Sequence, residues 1–234
     1  MTQHYPGIDP NGTGGAGLEE ATDFLYPFID KHETDAGALL SDLAASALAK
    51  AAESAALRRS TLAECAHLVD TAGAEMARRF AAGGRLFTFG NGGSSTDAAT
   101  LAALFASPPV GDALPAWSLT ADQAILTALG NDVGFDLVFA RQLIARADRN
   151  DIAIAVSTSG NSADLLVALR EARSRGLFTI GFSGYDGGAF AENPDVDACF
   201  VVRSQSVHRI QEAQALLGYH LWTRTQQPRP EDTP

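Results

Sequence analysis

Cysteine is scarce in this chain: there are two in 234 residues, Cys65 and Cys199, and neither belongs to a CxxC or a Cys/His cluster. That argues against a disulfide scaffold and a structural zinc site, and it fits a reducing compartment, so a cytoplasmic location is expected. Basic residues are outnumbered, 17 Lys and Arg against 28 Asp and Glu, for a formal net charge of -11. Phosphate backbones are gripped by basic patches, so direct nucleic-acid binding is not expected. A phosphorylated small molecule, which needs only a few local donors, is not excluded. No apolar run reaches the ~18 residues of a membrane span, and the polar start MTQHYPGIDPNG does not read as a signal peptide.

What is present is an apolar fraction of 46%, enough for one medium-sized core. Residues 1–34 read as a flexible lead-in that ends in a docking segment, FLYPFIDKHETD, and residues 227–234 read as a solvated tail. The domain between them, 35–226, opens with two expected helices. The first is alanine-rich and runs from Asp35 to about Ser60, with leucines at 39, 40, 43 and 48. The second starts near Thr61, where Leu62, Cys65, Val69, Ala72, Met76 and Phe80 follow the three-or-four spacing of one buried face. His67 sits between those core positions and reads as structural.

After Gly83-Gly84 the period changes. RLFTFG, IAIAVSTSG, FTIGFSG and ACFVV are short, apolar and β-prone, and AWSLT is a candidate fifth strand. Helical patterns such as SADLLVALREARSRG lie between them. Short buried strands alternating with helices predict an α/β fold: a single domain with a parallel sheet flanked by helices as a three-layer sandwich, preceded by an N-terminal helical extension.

In open α/β sheets, ligands bind beyond the carboxyl ends of the strands. Two polar clusters fall there, each between a strand and a helix: Gly90-Asn91-Gly92-Gly93-Ser94-Ser95 and Ser157-Thr158-Ser159-Gly160-Asn161-Ser162. Each combines backbone amides at a helix start with hydroxyl donors, which suits a phosphate dianion. The plainer alternative is a turn with an N-cap. Neither cluster is a GxxxxGKS/T or GxGxxG loop, so a nucleotide or dinucleotide fold is not indicated.

GNGGS after a strand, then LGND, STSGNS, SGYDGG and RIQE, resemble the sugar isomerase (SIS) domain family over about Thr61 to Arg224. The likeness is greatest to its phosphoheptose isomerase branch, which acts on sedoheptulose 7-phosphate. The resemblance implies that Ser157, Thr158, Ser159 and Ser162 wrap the phosphate, and that Asn91, Gly92, Ser94, Asp132 and Gln211 lie on the ligand side. Tyr185 and Asp186 read as a turn, with the paired glycines supplying unusual backbone angles.

The reactive positions depart from the family. Aldose–ketose interconversion needs an acid/base pair near the carbonyl carbons, often helped by a metal. The family's histidine, glutamate and second histidine fall here on Thr100, Leu104 and Tyr219, with His220 one step later. One step on a helix rotates a side chain by ~100°, so His220 is no simple substitute. A family arginine falls on Pro108. No metal and no cofactor are therefore expected. His208 and Gln211, at i and i+3, share a helix face, which makes them the candidate catalytic pair; the alternative for His208 is an exposed helix-start residue. Glu212 and Gln214 are polar positions available to a neighbour or a ligand.

Three functions remain open on the sequence. One is a phosphosugar isomerase with displaced catalytic groups. Another is a SIS protein that binds a phosphosugar and signals through assembly, as family members that bind the replication initiator do. The third is a structural oligomer whose pocket goes unused. The resemblance implies a homotetramer, or at least a dimer; a protein partner is possible, and a nucleic-acid or membrane partner is not expected.

Overall fold

The computed structural model describes residues 36–227; the lead-in 1–34 and the tail beyond 227 lie outside the described residues. Two compact units divide the chain at Ala51 and Ala52. The described part of the first is helical and largely solvent-facing. The second contains the sheet.

Helix α1 (Ala36–Ala81) is one continuous helix, not two. The break expected between Ser60 and Thr61 does not occur: Ser60 Oγ donates to the Leu57 carbonyl at 3.0 Å and Thr61 is buried. A serine that bonds back to its own helix leaves the helix free to continue. Within 52–81 the expected stripe holds: Cys65, Val69, Ala72 and Met76 are buried. His67 is a correction, since it faces solvent.

The remaining elements alternate. They are β1 (Leu86–Gly90), α2 (Gly93–Ala106), β2 (Ala116–Ser118), α3 (Gln123–Asp132), a 3-10 turn (Phe135–Leu137), α4 (Val138–Arg146), β3 (Ile152–Val156), α5 (Ala163–Ser174), β4 (Phe178–Gly184), α6 (Gly188–Glu192), β5 (Ala198–Val202) and α7 (Val207–Thr225). All five strands fall where the apolar runs predict them. They form one parallel sheet in the order β2-β1-β3-β4-β5.

Strand side chains alternate between two cores, as the pleat requires. Leu86, Ile152, Ile154, Ile180 and Phe200 pack with α1, α2 and α7. Phe87, Phe89, Ala153 and Ala155 pack with α4 and α5. A sheet covered on both faces accounts for strands that are apolar throughout instead of alternating. At the N-terminal edge, buried Asp151 accepts from the Arg85 backbone amide at 2.7 Å and pairs with the Arg85 guanidinium at 2.9 Å. This pins β1 to β3, and so fixes the opposite ends of those strands, where the loops lie.

Candidate functional site

The register brings the two polar loops side by side. Gly90, the last residue of β1, is paired with Val156, the last of β3. GNGGSS and STSGNS therefore leave the sheet at one edge, at the point where the strand order reverses, which is where doubly wound sheets bind ligands. A Cβ on Gly90 would stand 2.6 Å from the Val156 carbonyl oxygen and 2.7 Å from that of Ser94. Both are backbone atoms, so only glycine lets the loops approach this closely.

In the second loop, Ser157 is buried and its Oγ accepts from the Gly160 amide at 3.0 Å. Ser159 Oγ accepts from the Asn161 amide at 3.3 Å and lies 3.5 Å from Ser157 Oγ. Ser162 occupies the N-cap position of α5 without making a side-chain cap. Its hydroxyl is thus not consumed by the helix, while those of Ser157 and Ser159 serve as turn acceptors within the loop. Thr158 is half-buried in the same loop.

The SGYDGG turn braces this loop from outside. Tyr185 has φ 54, Gly187 φ 106 and Gly188 φ 56, the left-handed angles that the paired glycines suggested. Asn161 Oδ1 accepts from the Ala189 amide at 2.8 Å. The backbone is tight here, since a Cβ on Gly188 would meet the Ser159 carbonyl oxygen at 2.1 Å. Asp186 is exposed.

The first loop is held by side chains. Gly92, at φ 54, leads into α2 without a side-chain cap, and Ser94 is buried in the first turn. Asn91 Nδ2 donates to Asp164 Oδ1 at 3.0 Å and Oδ2 at 2.8 Å. Gln211 Nε2, from α7, donates to Asp97 Oδ2 at 2.8 Å. Buried Gln214 donates to the Ser157 carbonyl at 2.7 Å, while its Oε1 has no partner. Sequence reasoning missed Asp97 and Asp164. Each sits in or near the first turn of a helix that follows a loop, where an acid reads as an ordinary helix start.

A cavity of about 80 Å³ lies beside the loops. Its wall is mainly apolar, with Leu101, Leu104, Val156, Phe182, Ala215 and Gly218; Asp97, Thr100 and Gln214 supply the polar groups. The Thr100 hydroxyl is already used, donating to the Thr96 carbonyl at 2.9 Å.

Other sequence candidates stand apart from this cavity. Asp132 is exposed at the end of α3 and accepts from Asn131 Nδ2 at 2.6 Å. His208 is exposed on the first turn of α7, and its neighbour Arg209 pairs with Glu53 at 2.5 Å. Glu212 accepts from Ser54 Oγ. Tyr219 is half-exposed and sits edge-on to His220, with ring centroids 5.9 Å apart.

Burial raises the Asp164 carboxyl above its ordinary value, against hydrogen bonds from Asn91 and from the backbone amides of Leu165 and Asp164, which lower it. Burial also raises the thiols of Cys65 and Cys199, which leaves neither a ready thiolate. Among the described residues, no three His, Cys, Asp or Glu side chains converge as metal ligands. The positions that the resemblance assigns to zinc do not fit it within one chain. Leu104 has no donor atom, Thr100 is spent on its own helix, Gln211 is tied to Asp97, and Tyr219 turns to solvent.

Comparison with known proteins agrees with this geometry. Residues 51–184 match the SIS domain family. A phosphoheptose isomerase of Solidesulfovibrio magneticus is 44% identical over 175 residues, covering 72% of this chain and 82% of that one. The solved phosphoheptose isomerase of Neisseria gonorrhoeae superposes with a TM-score of 0.71 at 32% identity, covering 77% of this chain and 97% of that one. That of Francisella tularensis gives 0.66 at 29% identity, over 78% and 99%. In sequence and in fold, then, this chain belongs to the SIS domain family and is similar to its phosphoheptose isomerases.

Proposed function

We propose that the chain binds a sugar phosphate, with the phosphate on the STSGNS loop and the sugar against Asn91, Gly92, Ser94 and Gln211. The observation that carries this reading is the set of serine hydroxyls at the start of α5, of which Ser162 makes no cap to the helix it precedes. A phosphate there would also draw on the positive end of the helix dipole. Beside it, Leu104 and Leu101 present hydrocarbon where proton transfer would need an acid or base. Binding without family-type isomerisation is the function this arrangement supports best. The binding site is expected to work in the cytoplasm and within a homo-oligomer, dimer or tetramer, with room for a protein partner.

A second reading, an active aldose–ketose isomerase, is favoured by the names of the relatives at 44% and 39% identity. It would rely on displaced groups. Asp97 is the carboxylate that lines the cavity, and His208 stands one turn before Gln211 on α7.

Thermal-shift measurements with C5 to C7 sugar phosphates test the binding reading, and no stabilisation by any of them overturns it. Proton-exchange NMR on each hit separates the two readings, since an isomerase washes solvent deuterium into the carbon next to the carbonyl and a binder does not. Light scattering tests the assembly, and a monomer at micromolar concentration contradicts it.

A further inference from the structure

Asn91, in the first loop, and Asp164, in the helix that follows the second, hold each other across the site. Asn91 follows β1, and Asp164 is the second residue of α5. Both oxygens of the Asp164 carboxyl accept from Asn91 Nδ2, and Asp164 is only 4% exposed. An ionised carboxylate has acceptors only. If the Asn91 amide turned over, its oxygen would face two carboxylate oxygens where water scarcely reaches, losing both bonds and setting acceptor against acceptor. The amide orientation is therefore fixed by chemistry. Oδ1 of Asn91 is left on the far side from Asp164, and no protein donor takes it among the described residues.

We propose that Asp164 is a specificity-determining positioning residue: by orienting Asn91, it makes the first loop present a hydrogen-bond acceptor to the ligand. This rests on the sugar-phosphate reading above and narrows its ligand class. The second loop offers hydroxyls and amides, which suit phosphate oxygens. The first offers Oδ1, which suits a group that can donate, namely a sugar hydroxyl. The two loops thus sort the ends of a polyhydroxylated phosphate ester, and a bare phosphate dianion has nothing to give Asn91.

Phosphate binding alone does not explain Asp164. A carboxylate in the first turn of α5 occupies the positive end of the helix dipole and repels a phosphate in the adjoining loop. Burial is the main cost of ionising it, and Asp136, on the 3-10 turn, adds a like charge. An acid placed at such a cost needs another task, and orienting Asn91 supplies one.

Isothermal calorimetry with sedoheptulose 7-phosphate and with inorganic phosphate tests this on the full chain. In Asp164→Asn, the new amide offers either a donor or an acceptor, so Asn91 is free to turn. Sedoheptulose 7-phosphate affinity should fall at least tenfold while phosphate affinity holds or rises. The exchanged pair Asn91→Asp with Asp164→Asn again points an acceptor at the ligand, and sugar affinity should recover to within a few-fold of wild type. If Asp164→Asn leaves sugar affinity unchanged, or weakens sugar and phosphate alike, the positioning role is wrong while the binding reading stands. A wild type that binds neither probe overturns this inference, and the binding reading with it when no C5 to C7 sugar phosphate stabilises the chain.

Discussion

Gln211 Nε2 bridges from α7 to Asp97 Oδ2 on α2 at 2.8 Å, and the same nitrogen lies 2.7 Å from where a Cβ on Gly93 would stand. The amide thus rests on the bare backbone at the start of α2. A ligand-side residue in the family pattern is, in this chain, held in place by a second side chain and by the absence of a third.

That contact predicts a linked pair of substitutions. Gly93→Ala should push the Gln211 amide aside, because the end of a flexible side chain yields more readily than backbone. The Asp97 bond is then lost, at roughly 1.5–3 kcal/mol for a charged acceptor. Gly93→Ala and Gln211→Ala should each weaken sugar-phosphate binding, and the double variant should be little worse than either. Additive losses in a calorimetric double-mutant cycle would show that Gly93 acts by another route.

The serine loop gives a simpler expectation. On the proposed phosphate site, Ser157→Ala with Ser159→Ala removes two hydroxyls available to one charged acceptor, at roughly 1.5–3 kcal/mol each. Affinity for the best sugar phosphate should drop more than tenfold. Ser157 Oγ also accepts from the Gly160 amide, so the thermal midpoint should fall slightly, with the far-ultraviolet dichroism unchanged. Undiminished affinity would move the phosphate elsewhere.

Zinc and turnover are expected to fail together. The purified protein should carry no stoichiometric zinc by elemental analysis, and sedoheptulose 7-phosphate turnover should be absent or very slow. If His208 serves as a displaced base, that slow rate should vanish in His208→Ala while sugar-phosphate affinity stays close to wild type. One tightly held zinc per chain with ordinary isomerase rates would overturn the binding reading.

Fold and loops were readable because their signals are local. IAIAV runs straight into STSG, and one apolar strand followed by serine and glycine marks both a buried strand and its C-terminal loop. The break expected at Ser60–Thr61 failed for an equally local reason: the sequence cannot tell a serine that caps the next helix from one that bonds back to its own. The partners that organise the site were out of reach. Asn91 meets Asp164 across 73 positions, and Gln211 meets Asp97 across 114. Nothing in the spacing of either pair signals contact; only the strand order and the Gly90–Val156 register make them neighbours.

Asp164 also predicts a pH dependence of stability, with a sign opposite to that of a salt-bridged acid. Its carboxyl has an ordinary value of 3.8, raised in the folded chain chiefly by burial. Between the ordinary and the raised value, the folded chain holds this proton more tightly than the unfolded chain does. Stability from this group is therefore present at low pH, declines as pH rises through that window, and is level above it. Asp164→Asn has no such proton, so this contribution to the slope should disappear. Urea midpoints of wild type and Asp164→Asn, compared between about pH 4 and pH 7, should differ increasingly in the variant's favour as pH rises and then run parallel. A difference that stays constant over the whole range would mean that Asp164 ionises as freely in the folded chain as in the unfolded one, and that burial costs its carboxylate nothing.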